Sequence, residues 1–171
     1  MKYIQILRHA PKHAHGALTD EGRAITQALK SKLPKFNLAI STNRTRAIET
    51  AKLLTGKEPK IDKRGAPPFT FDEEKKLHEL GQNHPFGIAG VIFSNPQYRN
   101  KIKKSGYELV DLIKETLKSL PENGKGLIIS HDGVMVSAYK ILKKDSFDKA
   151  NKTIKPLQGF QVNERMKIVD M

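Results

Sequence analysis

Three short stretches of this chain set chemically capable residues directly after apolar runs. Arg8 and His9 follow Tyr3-Ile4-Gln5-Ile6-Leu7, and His131 and Asp132 follow Gly126-Leu127-Ile128-Ile129-Ser130. Between them, Leu38-Ala39-Ile40 runs into Ser41-Thr42-Asn43 and on to Arg46. With Glu79, which closes a further short segment, the set offers two guanidinium groups, two imidazoles and carboxylates. Guanidinium groups grip phosphoryl oxygens in a fork geometry. One imidazole can attack phosphorus, since neutral His is nucleophilic near neutral pH. The other can donate to the equatorial oxygens, where charge accumulates in the transition state. A carboxyl group can protonate the leaving oxygen and then take a proton from the attacking water. Two cations beside an imidazole also hold it neutral, because protonating it there costs more.

For these residues to meet, the apolar runs must be strands of one sheet whose carboxyl ends share a rim, where open α/β sheets bind ligands. The intervening pattern agrees. Thr19 predicts an N-cap, with Asp20 and Glu21 in the first turn, an apolar face of Ala24, Ala28, Leu29 and Leu33, and Pro34 as the stop. A second helix is expected from about Thr45 to Leu54, closed by Gly56. Lys57 to Thr70 reads as an irregular connection, with a strand or turn around Phe69 to Phe71. Gly81 to Pro96, rich in Gly, Asn, Pro and His, reads as a mobile loop over the site. A long helix follows from Tyr98 to Leu120, with a break or kink expected near Ser105-Gly106. Gly133 to Leu142 is helical, and Phe160 to Val169 predicts a closing hairpin. Strands alternating with helices predict a largely parallel α/β sheet in a single domain spanning residues 1–171.

Composition narrows the partners. The chain carries 31 Lys+Arg against 18 Asp+Glu, a formal charge of +13, which raises nucleic acid, a membrane surface or a phosphorylated substrate as partners. Seven of those cations are arginine and 24 are lysine, spread along the chain and not interleaved with aromatics. That distribution predicts a solvated lysine coat rather than a nucleic-acid surface, because Arg, not Lys, makes the bidentate contacts. Cysteine is absent, so no disulfide framework and no thiol nucleophile is available. The first seven residues are too short an apolar run for a signal peptide, and no stretch approaches a spanning helix. A cytoplasmic location without membrane association is expected.

Arg8-His9-Ala10, Ala17-Leu18-Thr19 with Gly22, the run Thr42 to Ala51 (TNRTRAIETA), Leu77-His78-Glu79 with Gly87, and Ser130-His131-Asp132-Gly133 occur in that order. In this set the chain resembles the histidine phosphatase superfamily, the phosphoglycerate-mutase-like proteins. The resemblance implies a three-layer α/β/α sandwich around a mixed, mostly parallel sheet. It also implies His9 as the phosphorylated nucleophile and a phosphate pocket of Arg8, Arg46 and His131, with His131 stabilising the transition state. Glu79 is then the proton donor and base, with Asp132 as the alternative donor, as in the acid-phosphatase branch. No metal or organic cofactor is implied. Clustered imidazoles at His9, His13 and His15 raise a metal-dependent hydrolase as an alternative. That class is helical, whereas His131-Asp132 ends a buried strand, so His13 and His15 are expected to line the substrate entrance or to face water.

One departure from the pattern is Ala10, where the family usually has Gly; its added methyl at a turn is expected to shift the phosphate loop slightly without loss of activity. The connection from Ala51 to Glu79 is also short for a dedicated mutase, which favours a phosphatase. The expected function is hydrolysis of a phosphomonoester, most simply a small phosphorylated metabolite. The alternative is a phosphatase acting on a phosphohistidine protein, whose leaving imidazole departs without a carboxyl donor. A non-catalytic module that binds a phosphorylated ligand or RNA is disfavoured, because the full set of reactive residues is present.

Overall fold

The computed structural model describes residues 1–14, 16–148 and 152–169. The elements run β1 (Tyr3–Arg8), α1 (Asp20–Lys30), β2 (Leu38–Ser41), α2 (Thr45–Thr55), β3 (Lys60–Ile61), α3 (Phe71–Gly81), α4 (Gly87–Ser94), α5 (Pro96–Ser119), β4 (Lys125–Ser130), α6 (Asp132–Lys143), β5 (Gly159–Asn163) and β6 (Ile168–Val169). Six strands form one sheet in the order β3-β2-β4-β1-β5-β6. The pairs β3·β2, β2·β4 and β4·β1 are parallel, whereas β5 and β6 join antiparallel as the expected closing hairpin.

The period-2 alternation of the strands sorts their side chains into two cores. Ile4, Ile6, Ile40, Ile128, Phe160 and Val162 pack in a large cluster with α4, α5 and α6. Leu7, Leu127 and Ile129 point the other way, into a smaller cluster with α2. Both faces of β1 and β4 are therefore covered, which is why these central strands read as continuous apolar runs. The three-layer α/β/α arrangement matches the expectation.

Local signals placed most helix ends. The Thr19 side chain accepts from the Gly22 amide at 2.9 Å, and Gly56 ends α2 in the left-handed region at φ 71°. Four details differ from the sequence reading. The inward stripe of α1 is Gly22, Thr26 and Leu29, continued by Leu33, while Ala24 and Ala28 face outward. Thr26 tolerates burial because its hydroxyl donates to the Gly22 carbonyl at 2.6 Å. Lys57 to Thr70 is not wholly irregular, since β3 extends the sheet edge, and Thr70 is no strand but the N-cap of α3 in a reciprocal capping box with Glu73. Helix α5 runs unbroken past Gly106, whose missing side chain admits α6: a Cβ there would lie 2.1 Å from Ser137 Oγ.

The largest difference concerns residues 81–96, where only residues 82–86 form a turn and most of the rest is helix. Helix α4 buries Ala89, Gly90, Ile92 and Phe93, and Pro96 begins α5 behind the N-cap Asn95. Glycine here does not signal flexibility; the His84 ring lies where a Cβ on Gly90 would be. The segment does stand over the site, as an apolar wall.

Candidate active site

Register brings the chemistry together. Arg8 on β1 lies beside Ser130 on β4, and Ile129 on β4 lies beside Ser41 on β2. The residues that follow, His9, Thr42 and His131, therefore emerge at one rim of three adjacent parallel strands. The imidazole rings of His9 and His131 are 5.2 Å apart between centroids. Both residues are buried, at 4% exposure each. Arg46 enters from the first turn of α2, whose N-terminus faces the same rim.

The hydrogen bonds fix the tautomer of His9. His9 Nδ1 lies 2.8 Å from the Ala10 carbonyl, an acceptor only, so Nδ1 carries the proton and Nε2 keeps its lone pair. Arg46 Nε donates to that lone pair at 3.2 Å. Burial, then the charge of Arg46, hold the His9 pKa well below 6.5. Ala10 is buried and lies outside the left-handed region, and its amide donates to Thr50 Oγ1 at 3.0 Å. The methyl group that departs from the family pattern thus fits an ordinary backbone conformation.

His131 pairs through Nε2 with the hydroxyl of buried Thr42 at 2.7 Å. Its pKa is also held well below 6.5, first by burial and then by His9 and Arg46. His131 Nδ1 and Arg8 Nε are buried without a hydrogen-bond partner among the described residues. Such groups are costly unless a ligand completes them. The rest of the Arg8 guanidinium is anchored, with Nη1 donating to the Ile154 carbonyl at 2.7 Å and lying 3.8 Å from Asp132.

The structure separates the carboxylates named by the sequence. Asp132 lines the cavity, but Oδ1 accepts from the Ile154 amide and Oδ2 from the Thr153 hydroxyl, each at 2.7 Å. Burial raises its pKa against the opposing pull of Arg8. Glu79 is exposed and does not line the cavity that holds His9. Leu77 is buried on α3, and two residues along a helix is a turn of about 200°. Only an extended Leu-x-Glu would put both side chains on one face.

Glu74, unnoticed in the sequence, is the α3 carboxylate that does line the cavity. It sits one turn before Leu77 and His78 on the same face, a phase that was readable once the helix was assigned. Arg44 Nη2 donates to Glu74 Oε1 at 2.8 Å and to the Pro67 carbonyl at 3.4 Å, so Arg44 positions this acid rather than merely flanking the pocket. His78 is exposed at the cavity edge, where burial and then Lys12 lower its pKa. His13 is exposed, and His15 lies outside the described residues. Among the described residues no three His, Asp or Glu side chains are grouped to hold a metal ion, and no helix is long and apolar enough to cross a membrane.

The arrangement is a neutral imidazole beside two guanidinium groups and a second imidazole, at the N-terminus of α6, with a carboxylate lining the same cavity. It suits in-line displacement at a phosphoryl group. No protein-family model and no curated protein matches the chain. Solved structures do. A phosphoserine phosphatase from Entamoeba histolytica, in complex with 3-phosphoglyceric acid, is 19% identical with a TM-score of 0.68, covering 99% of this chain and 94% of its own. A mycobacterial glucosyl-3-phosphoglycerate phosphatase is 17% identical with a TM-score of 0.68, over 95% of this chain and 90% of its own. A phosphoglycerate mutase from Bacillus anthracis str. Sterne is 15% identical with a TM-score of 0.61, over 99% and 91%. The chain shares with them the phosphoglycerate-mutase-like fold of the histidine phosphatases.

Proposed function

We propose that the chain is a phosphatase that hydrolyses a phosphomonoester through a phosphohistidine intermediate on His9. One observation carries this reading: Arg46 Nε lies 3.2 Å from the lone pair of His9 Nε2, and Arg8 and His131, whose Nε and Nδ1 are buried without a hydrogen-bond partner among the described residues, line the same cavity. An oxyanion supplies acceptors for all three donors. Arg46 then turns from His9 to the phosphoryl oxygens and frees the nucleophile. The lone pair of His9 Nε2 forms the P–N bond as the bond to the leaving oxygen breaks, and that oxygen takes a proton from Glu74. Water next attacks phosphorus, passes its proton to Glu74 and releases inorganic phosphate as the P–N bond breaks. Arg8, Arg46 and His131 stabilise the charge that spreads over the equatorial oxygens in both steps. No step calls on a metal.

The fold neighbours named as phosphatases support the class of reaction. A carboxylate in the cavity favours an ester, whose alkoxide needs a proton, over a protein phosphohistidine, whose imidazole leaves readily. The deciding experiment is hydrolysis of p-nitrophenyl phosphate by the purified chain and by His9→Ala, with rapid quenching to trap an acid-labile phosphorylated protein. Turnover and trapping in the parent alone support the reading. Turnover that survives in His9→Ala would sink it.

A further inference from the structure

The phosphate site opens into a cavity of about 280 Å³ whose remaining walls are mostly carbon. Phe69, Leu77, Ile88, Ile92, Ile102 and Val134 line it, drawn from α3, α4, α5, α6 and the residue before Thr70. Ile92 and Ile102 close on the start of α6, where a Cβ on Gly133 would lie 2.8 Å from Ile92 Cδ1. The polar side chains on these walls are few and partly engaged. Glu74 is held by Arg44, and both oxygens of Asp132 accept hydrogen bonds from residues 153 and 154. The half-buried Lys12 and exposed His78 stand at the edge.

Taking the phosphatase reading as given, we infer that the leaving group is a compact apolar alcohol: a short branched alkyl chain or a single aromatic ring. A sugar or glycerate would surrender much of its hydration to a wall that is mostly carbon and offers its hydroxyls few partners, and polar groups left unpaired there are selected against. An apolar group gains by leaving water, in proportion to the carbon it buries. The volume lies near the lower end of ligand cavities, which span about 300–1,000 Å³, and suits a small group beyond the phosphoryl. This substrate class departs from the phosphoserine and glucosyl-3-phosphoglycerate named for the fold neighbours.

The test measures kcat/KM for methyl, propyl, 3-methylbutyl and benzyl phosphate against glycerol 3-phosphate and 3-phosphoglycerate. All are esters of aliphatic alcohols, so leaving-group acidity does not dictate the order. Each buried methylene is expected to raise kcat/KM about fourfold, and 3-methylbutyl phosphate to exceed glycerol 3-phosphate by at least about tenfold. Ile88→Asn, at a half-buried wall position, is expected to flatten the series, and Ile88→Met to keep it. A flat series, or a preference for the polyol esters, overturns the inference while His9-dependent hydrolysis of p-nitrophenyl phosphate leaves the phosphatase reading standing. Absence of that hydrolysis overturns both.

Discussion

Arg46 Nε donates to His9 Nε2 at 3.2 Å, so its guanidinium sits on the lone pair of the buried imidazole. A protonated His9 has no lone pair to offer Arg46 and repels it, which keeps the ring neutral and ready. Arg46→Ala is expected to lower kcat/KM for p-nitrophenyl phosphate by about 10–150-fold, the loss of one charge-assisted hydrogen bond. The His9 pKa should rise at the same time, measured by NMR titration of the ring. An unchanged His9 titration in Arg46→Ala would remove the guanidinium from this role.

The opposite wall distinguishes three carboxylates. Glu74→Gln is expected to lower kcat for an alkyl phosphate by about 10²–10⁴-fold, with a much smaller effect on p-nitrophenyl phosphate, whose leaving group needs no proton. Glu79→Gln, changed on the exposed face of α3, should leave both rates as they are. Equal losses for both substrates in the rate of His9 phosphorylation, read by rapid quenching, would argue that Glu74 shapes the cavity instead of protonating the leaving oxygen.

Asp132→Asn tests an anchoring role. The carboxylate accepts from the Ile154 amide and the Thr153 hydroxyl and faces Arg8, so the variant is expected to lose about 1–3 kcal/mol of stability in denaturant titration. Its rate on alkyl and aryl esters should fall in equal proportion, unlike that of Glu74→Gln.

The two buried imidazoles make stability depend on pH. Both His9 and His131 have pKa values held well below 6.5 in the folded chain, chiefly by burial. Above about pH 6.5 both states leave them neutral and they contribute no slope. As pH falls below that value the unfolded chain takes up protons that the folded chain refuses. Stability then drops by up to about 1.4 kcal/mol per pH unit for each ring. The raised pKa of Asp132 acts in the opposite sense, favouring the folded state as that carboxyl protonates. Urea midpoints between pH 7.5 and 5 should fall less steeply in His131→Gln than in the parent. Parallel curves would show that His131 takes up a proton in place.

Gly106→Ala probes the crossing of α5 over α6. The new methyl would meet Ser137 Oγ at 2.1 Å and Ser137 Cβ at 2.7 Å, so a loss of about 1–3 kcal/mol is expected in thermal or denaturant unfolding. Gly106→Ala combined with Ser137→Ala should recover part of it, because the nearest of those atoms is then gone.

Much of the site was legible before any tertiary contact was known. Arg8-His9, Thr42 to Arg46 and His131-Asp132 each follow an apolar run, and a buried strand ending in polar residues carries its meaning in adjacent positions. Helix ends marked by Thr19 and Gly56 were local in the same way, whereas α1 already reaches its C-cap at Ser31, three residues before the expected stop at Pro34. The identity of the acid was not. Leu77-His78-Glu79 names a carboxylate by spacing, but only the burial of Leu77 and Gly81 sets the rotation of α3, which turns Glu74 inward and Glu79 out. Helix α4 was hidden for a related reason. Its glycines look like loop residues along the chain, yet in the folded molecule Gly90 leaves room for the His84 ring and Ile88 and Ile92 wall the cavity. Adjacent residues thus set Arg8, His9, Arg46 and His131 at strand and helix ends, whereas packing between distant segments decided which carboxylate lines their cavity and that its other walls are mostly apolar.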